Sequence, residues 1–284
     1  MKTITLQAYA KINLTLDILG KRPDGYHDLS MVMQSISLCD TLRVTRTSGD
    51  IVCRVDGADL PADESNLAVQ AARAFFRESG VSPCGLSIEI EKRIPIAAGM
   101  AGGSADAAAV LHALRLLLCP EMALGELERI GAAVGSDVPF CICGGTALAE
   151  GRGEILTTLK AAPKLSLVVC KPPFSISTPV LFKRSDSVTL TRRPDTAAML
   201  RAIDEGNADG VIAGLCNVFE EVLPAECGEV FSIRSELLSL GADGAQMTGS
   251  GPTVFGLFKD EAAATKAAGA LKKKYEQTYL CSFV

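Results

Sequence analysis

The stretch Pro95–Ala107, PIAAGMAGGSADA, forces a strand and a helix to meet across a glycine-rich turn. Leading in, Gly85–Arg93 (GLSIEIEKR) alternates Leu86, Ile88 and Ile90 with polar residues, the period of a half-buried strand. Leading out, the Ala/Leu-rich segment from Ser104 to Leu118 predicts a helix. Between them Gly99, Gly102 and Gly103 permit backbone conformations that side chains forbid, so amide N–H groups can converge. Ser104 and Asp106 stand where helix starts prefer short polar residues. A glycine loop feeding a helix N-terminus suits an anion, because unpaired N–H groups and the helix dipole point the same way. The anion it suggests is the phosphate chain of a nucleotide. No Lys-Ser/Thr follows the last glycines, and G-x-x-G-G differs from G-x-G-x-x-G, so neither common phosphate template applies. Taken alone, the cluster reads as an ordinary strand-to-helix connection; its company in the chain argues for more.

A chain of 284 residues can bury a large core, in one large or two modest domains. With 21% charged residues and a net charge of −5, it is a poor general binder of nucleic acid or anionic membrane. A phosphate site here must be local, built from backbone and a few lysines. The N-terminus has no basic region followed by an apolar core, so no secretory signal is expected. The apolar run 111–118 carries Arg115 and is far too short to span a bilayer. The ten cysteines lie singly, and Cys141-Ile-Cys143 suits neither a zinc knuckle nor a C-x-x-C redox pair. Buried, reduced thiols in a cytoplasmic protein are the expectation.

Residues 3–18 alternate strictly, with Ile4 through Ile18 apolar on one parity and Thr3 through Asp17 mostly polar on the other. That predicts one long strand, or two with a bend, with one buried face. Lys11 and Asn13 fall on the other, open face, where such side chains are usually solvated. Lys21–Gly25 is a turn, with Tyr26 and His27 just beyond it and strands at 29–38 and 42–46. His112, inside the Ala/Leu helix, reads as structural. An amphipathic helix at 66–78 ends at Gly80, and a short helix follows near 124–134. Asp137, between Ser136 and Val138-Pro139, reads on position as a helix-terminus or turn carboxylate. The segments 140–143 and 146–150 suggest a hairpin around Gly144-Gly145, and 165–170 a strand. Thr178 with Pro179 reads as a helix start, with Phe182 and Lys183 riding on that helix. Residues 184–194 read as a loop, 195–205 and 210–222 as helices, and 245–255 as strand, glycine turn, strand.

AYAKINL at 8–14, PDGYH at 23–27, the loop at 95–107, GSDVP at 135–139, STPVLFK at 177–183 and MTGSG at 247–251 occur in one order. In that combination the chain resembles the GHMP kinases, and among them the branch that acts on a cytidine-diphosphate sugar alcohol. The resemblance implies a two-domain α/β (α+β) fold, an ATP-binding domain over 1–155 and a second over 156–284, with the active site in the cleft between the domains. It implies transfer of the ATP γ-phosphate to the 2-hydroxyl of diphosphocytidyl-methylerythritol, in the non-mevalonate route to isoprenoid precursors. Carried over, Asp137 is the general base, with Lys11 beside it. Pro95, Ile96, Ala97, Ala98, Gly99, Met100, Ala101, Gly102, Gly103, Ser104 and Ala105 wrap the ATP phosphates. Tyr26 and Phe182 stack on the cytosine, His27 hydrogen-bonds it, and Asn13, Thr178 and Lys183 help hold the substrate. The partners are small molecules, with no nucleic acid or membrane, in a monomer or weak homodimer. Mg²⁺ is expected with ATP, with no protein ligand named.

The loop departs from the family pattern. Ala97, Ala98 and Ala101 replace glycines, Met100 a leucine and Ala105 the second serine. Two other readings are a kinase of another small alcohol, such as homoserine or mevalonate, and a non-catalytic nucleotide sensor. PDGYH and Phe182 disfavour the former, whose substrates have no base to stack. The presence of both Lys11 and Asp137 disfavours the latter.

Overall fold

The computed structural model describes residues 2–284. The chain runs β1 (Thr3–Lys21), β2 (His27–Thr47), β3 (Ile51–Asp56), α1 (Leu67–Ser79), β4 (Gly85–Glu91), α2 (Gly102–Leu118), α3 (Leu124–Ala132) and α4 (Val138–Cys143). It continues through β5 (Thr146–Gly151), β6 (Ile155–Thr158), β7 (Ser166–Cys170), α5 (Thr178–Ser185), α6 (Thr196–Asp204) and α7 (Ala208–Ala213). The last elements are β8 (Cys216–Asn217), α8 (Glu229–Ser239), β9 (Gly244–Met247), β10 (Val254–Phe258), α9 (Glu261–Lys272) and β11 (Thr278–Ser282). They form two compact units. One holds the chain up to Ala10, Leu38–Ile94 and Ala101–Gly144; the other holds Lys11–Ser37, Pro95–Met100 and Gly145–Val284.

In the first unit β4 lies between β3, parallel, and the second half of β2, antiparallel. Its alternate residues Leu86, Ile88 and Ile90 are buried, as their period requires. Helix α1 carries Val69, Ala72 and Phe76 with Ala68, Ala71, Ala74 and Phe75 on its buried side. Asn66 caps it by accepting the Ala68 N–H, and Gly80 ends it at φ 69°. Helix α2 buries Ala105, Ala107, Ala108 and Ala109, small residues that let α1 approach closely.

In the second unit the first half of β2 pairs with β5, which pairs with β6, and β8 runs parallel to β1 at Thr15–Leu16. A separate antiparallel sheet has the order β11-β7-β10-β9 and is covered by α8 and α9. Its core is Leu167, Val168, Val169, Phe255, Leu257 and Phe258, all nearly inaccessible.

Several local expectations are corrected. From Ala10 to Ile18 both faces of β1 are buried, including Lys11, Asn13, Thr15 and Asp17. Hydrogen bonds make that tolerable: the Val32 N–H donates to Thr15 Oγ1, and Arg193 donates to Asp17. Residues 29–38 and 42–46 belong to one strand, β2. The expected hairpin at 140–150 is instead helix α4 followed by β5. Pro139 fits the first turn of α4, and Gly144, at φ 67°, ends it. The helix expected over 210–222 stops at Gly214. Asn217 then captures the Phe219 N–H and turns the chain into a 3₁₀ segment, Val218–Val222. Helix α5 is preceded by Ser177 rather than Thr178 in the cap position, and it runs to Ser185, into the expected 184–194 loop.

Asn217 is 1% exposed, and its amide donates to the carbonyls of Met247 (2.8 Å) and Gly249 (2.9 Å). It thereby anchors the turn that follows β9. Asn217→Ala strands those buried carbonyls and should lower the unfolding free energy by about 3 kcal/mol, read as a lower urea midpoint.

Candidate active site

The glycine-rich loop divides its tasks unexpectedly. Of the three glycines, only Gly99 takes a left-handed backbone, at φ 74°. Gly102 and Gly103 are the first residues of α2 and sit in tight quarters: a Cβ at Gly102 would stand 3.0 Å from Ile94 Cγ2, and one at Gly103 3.3 Å from Leu67 Cδ1. The other left-handed positions are Ala97, at φ 49°, and Ala101, at φ 58°. An L-residue in that region costs roughly 1–2 kcal/mol. Helix α2 therefore starts at Gly102, after Ala101, and not at Ser104. Asp106 does not cap it; it is buried.

Gly99 is closely confined. A Cβ there would lie 2.3 Å from the Thr248 carbonyl oxygen. The Met100 carbonyl accepts the Lys11 N–H at 3.2 Å, which ties the loop to β1. Ile96, Ala97 and Gly103 are exposed, Gly99, Ala101, Gly102 and Ser104 half-buried, and Pro95, Ala98, Met100 and Ala105 buried.

Lys11 is 4% exposed, and its ammonium donates to Asn13 Oδ1 at 2.7 Å. Asn13 is held from several sides. Its N–H donates to Thr248 Oγ1 (3.0 Å), its carbonyl accepts from Gln246 Nε2 (2.8 Å), and its side-chain nitrogen faces the Met31 sulfur. The Thr248 hydroxyl also lies 3.5 Å from the Gly99 carbonyl. Thr248 and Gln246 are the structure's additions to this group. Their one signal in the sequence is that Thr248 lies within MTGSG and Gln246 just before it. Asp137 is half-buried directly before α4, where its carbonyl accepts the Cys141 N–H.

A second group gathers farther along the same two strands. His27, at the start of β2, stacks on Phe182 of α5 with ring centroids 4.6 Å apart and planes 14° apart. Phe219 meets Phe182 edge-on at 5.0 Å. His27 Nε2 lies 2.6 Å from Asp186 Oδ1, and Lys21 reaches the other oxygen at 2.6 Å. Those two partners hold the Asp186 carboxyl below its ordinary range. Tyr26 is 55% exposed with the Arg152 guanidinium 5.0 Å above its ring. The structure thus brings His27 and Phe182 face to face and sets Tyr26 against Arg152. Thr178 Oγ1 lies 2.6 Å from Ser250 Oγ, and Lys183 is exposed on α5.

The ten cysteines form no disulfide. Burial pushes Cys53 and Cys170 up to about 11 and Cys143 up to about 12, which leaves them poor nucleophiles. Among the described residues no group of three or more His, Cys, Asp or Glu could hold a metal ion. Nor is any helix there long and apolar enough to cross a membrane.

This chain belongs to the GHMP kinases: residues 66–145 match the GHMP kinases N terminal domain and residues 189–277 the GHMP kinases C terminal domain. Its relatives within that class have a narrower name. The 4-diphosphocytidyl-2-C-methyl-D-erythritol kinase of Caldicellulosiruptor saccharolyticus is 43% identical over 268 residues, covering 94% of this chain and 92% of that one. That of Pelotomaculum thermopropionicum is 46% identical over 275 residues, covering 96% of each. A crystal structure of 4-(cytidine 5'-diphospho)-2C-methyl-D-erythritol kinase superposes with a TM-score of 0.83 at 32% identity, covering 99% of both chains. Homoserine kinase from Cytophaga hutchinsonii shares the fold at a TM-score of 0.74 and 16% identity, covering 100% of this chain and 95% of that one.

Two measurements check the loop and the buried carboxylate next to it. Ala101→Gly removes left-handed strain and should raise stability by about 0.5–1 kcal/mol, whereas Gly99→Ala drives a Cβ into backbone and should cost at least ~2 kcal/mol; thermal unfolding distinguishes them. Desolvation, with Asp40 nearby, outweighs Lys92 and pushes Asp106 up to about 7 from the ordinary 3.8. Folded Asp106 then keeps a proton that the unfolded chain has released, so this contribution is full below 3.8 and lost as pH rises through about 7. Urea midpoints should fall between about pH 5 and about pH 8, and Asp106→Asn should flatten that slope.

Proposed function

We propose that this chain transfers the γ-phosphoryl group of Mg·ATP to the 2-hydroxyl of 4-diphosphocytidyl-2-C-methyl-D-erythritol, a step of the non-mevalonate supply of isoprenoid precursors. The observation that carries this is the agreement of relatives 43% and 46% identical over almost the whole chain. The kinases of homoserine and mevalonate are similar in fold only, at 16% identity.

Phosphoryl transfer asks a protein for position and charge rather than for covalent chemistry. In this reading the amides of Pro95–Ala105 hold the nucleotide phosphates, supported by the open N-terminus of α2. A divalent ion bound to the nucleotide would supply charge neutralisation at its phosphates. Lys11 cannot swing freely, because Asn13 holds its ammonium, so its charge is oriented before substrate arrives. That suits it to steady the migrating phosphoryl group. Asp137 accepts the proton of the 2-hydroxyl as the oxygen attacks. The flat cytosine is taken between aromatic faces: Phe182, already backed by Phe219, and the exposed Tyr26. His27, oriented by Asp186, supplies a hydrogen bond to its edge, and Asn13, Thr178 and Lys183 hold the remainder. The ATP-binding half is 1–155 and the other half 156–284; the enzyme works in the cytoplasm as a monomer or weak homodimer.

Phosphorus NMR of the protein with Mg·ATP and diphosphocytidyl-methylerythritol should show a new phosphomonoester signal together with ADP. Intact ATP after prolonged incubation would overturn the reading. Lys11→Met and Asp137→Asn should each lower kcat by about 10³-fold while circular dichroism stays that of the folded protein. Inhibition by CMP separates this substrate from small alcohols that carry no base.

A further inference from the structure

One buried ionic cluster has no part in the roles above. The Lys92 ammonium, just past β4, donates to Asp40 Oδ2 of β2 at 2.5 Å and to Asp106 Oδ2 of α2 at 2.7 Å. The three residues are 8%, 0% and 3% exposed. The other oxygen of Asp40 accepts the N–H groups of Arg93 (2.5 Å) and Ile94 (2.8 Å). One carboxylate thus fixes the chain up to the residue before Pro95. Through a shared ammonium, the same group is tied to the second turn of α2, at the far end of the loop. The first turn rests on it too: a Cβ at Gly102 would stand 3.4 Å from Lys92 Nζ and 3.0 Å from Ile94 Cγ2.

This is a poor way to gain stability. Two carboxyl groups share one ammonium in a buried site, and Asp106 Oδ1 is buried without a hydrogen-bond partner. Apolar residues of similar volume commonly stabilise such a site as well or better. What ions supply and apolar packing does not is a directional link of set length between the end of a strand and the start of a helix.

We infer that Lys92, Asp40 and Asp106 are positioning residues for the 95–101 loop, setting the separation of the two chain ends between which its amides are strung. The inference rests on the reading of that loop as the holder of the nucleotide phosphates. Any slackening of the two ends passes into the loop, and misplacement by about 1 Å can cost up to ~10²-fold in a reaction that depends on alignment.

Steady-state kinetics with Mg·ATP and the alcohol varied separately provide the test. Asp106→Ala should raise KM for Mg·ATP about tenfold and leave KM for the alcohol unchanged. Asp106→Asn, which still offers the ammonium an acceptor, should recover most of that loss. A purely structural role would lower kcat per total protein without moving either KM. If Asp106→Ala does not fold, the apolar pair Lys92→Met with Asp106→Leu carries the same expectation. An unchanged KM for Mg·ATP in a folded variant overturns the inference. Calorimetry of the unsubstituted protein with a non-hydrolysable ATP analogue separates the two levels. No binding removes the phosphate reading and this inference with it, whereas equal binding by protein and variant removes the inference alone.

Discussion

Asn13 holds together the part of β1 on which the proposed phosphoryl-transfer chemistry depends. An amide and an ammonium buried on one strand must find partners, since an unmade hydrogen bond there costs about 1–3 kcal/mol. Lys11 finds Asn13, and Asn13 finds Thr248, Gln246 and Met31. Thr248 lies in the turn after β9, and Asn217 holds that turn from behind. Thr248 in turn meets the Gly99 carbonyl, so one network reaches both the lysine and the loop. Satisfying the burial of Lys11 has the further effect of fixing where its charge stands.

The loop shows how space and conformation are separate demands on a residue. Gly102 and Gly103 have ordinary helical backbones and are confined by Ile94 and Leu67. Ala97 and Ala101 have room for a methyl group and bear the backbone strain. Strain of this kind persists only where the surroundings over-determine the conformation. Here the surroundings are the Met100–Lys11 hydrogen bond and the crowding of Gly99 against Thr248.

The proposed nucleoside side is organised by stacking. Phe182 is fixed between His27 and Phe219, and His27 is turned by a carboxylate that Lys21 also holds. A ring already held by two aromatic neighbours loses little freedom on meeting another flat group, which favours binding of an aromatic base. Tyr26, half in solvent beneath Arg152, keeps more freedom.

Local features were legible wherever their cause was local. Asn66 and Gly80 bound α1, the alternation of Leu86, Ile88 and Ile90 makes β4, and Pro23 to Gly25 turns the chain before Tyr26. The position of the glycine loop was legible for the same reason, whereas the candidate residues were suggested by the resemblance of the motifs and not by any local pattern. The helix after the loop starts at Gly102 and not at Ser104, a difference without a local signal, since the left-handed Ala101 that precedes it leaves no mark in an alanine-rich segment. The sequence by itself determined these elements and the order of the motifs along the chain. Only the tertiary structure decided that the polar side of β1 is buried, that Thr248 supports Asn13, and that Lys92 joins Asp40 to Asp106. Those contacts join residues 235, 52 and 14 positions apart. No periodicity extends over the longer separations; burial there is set by which surface arrives from elsewhere in the chain.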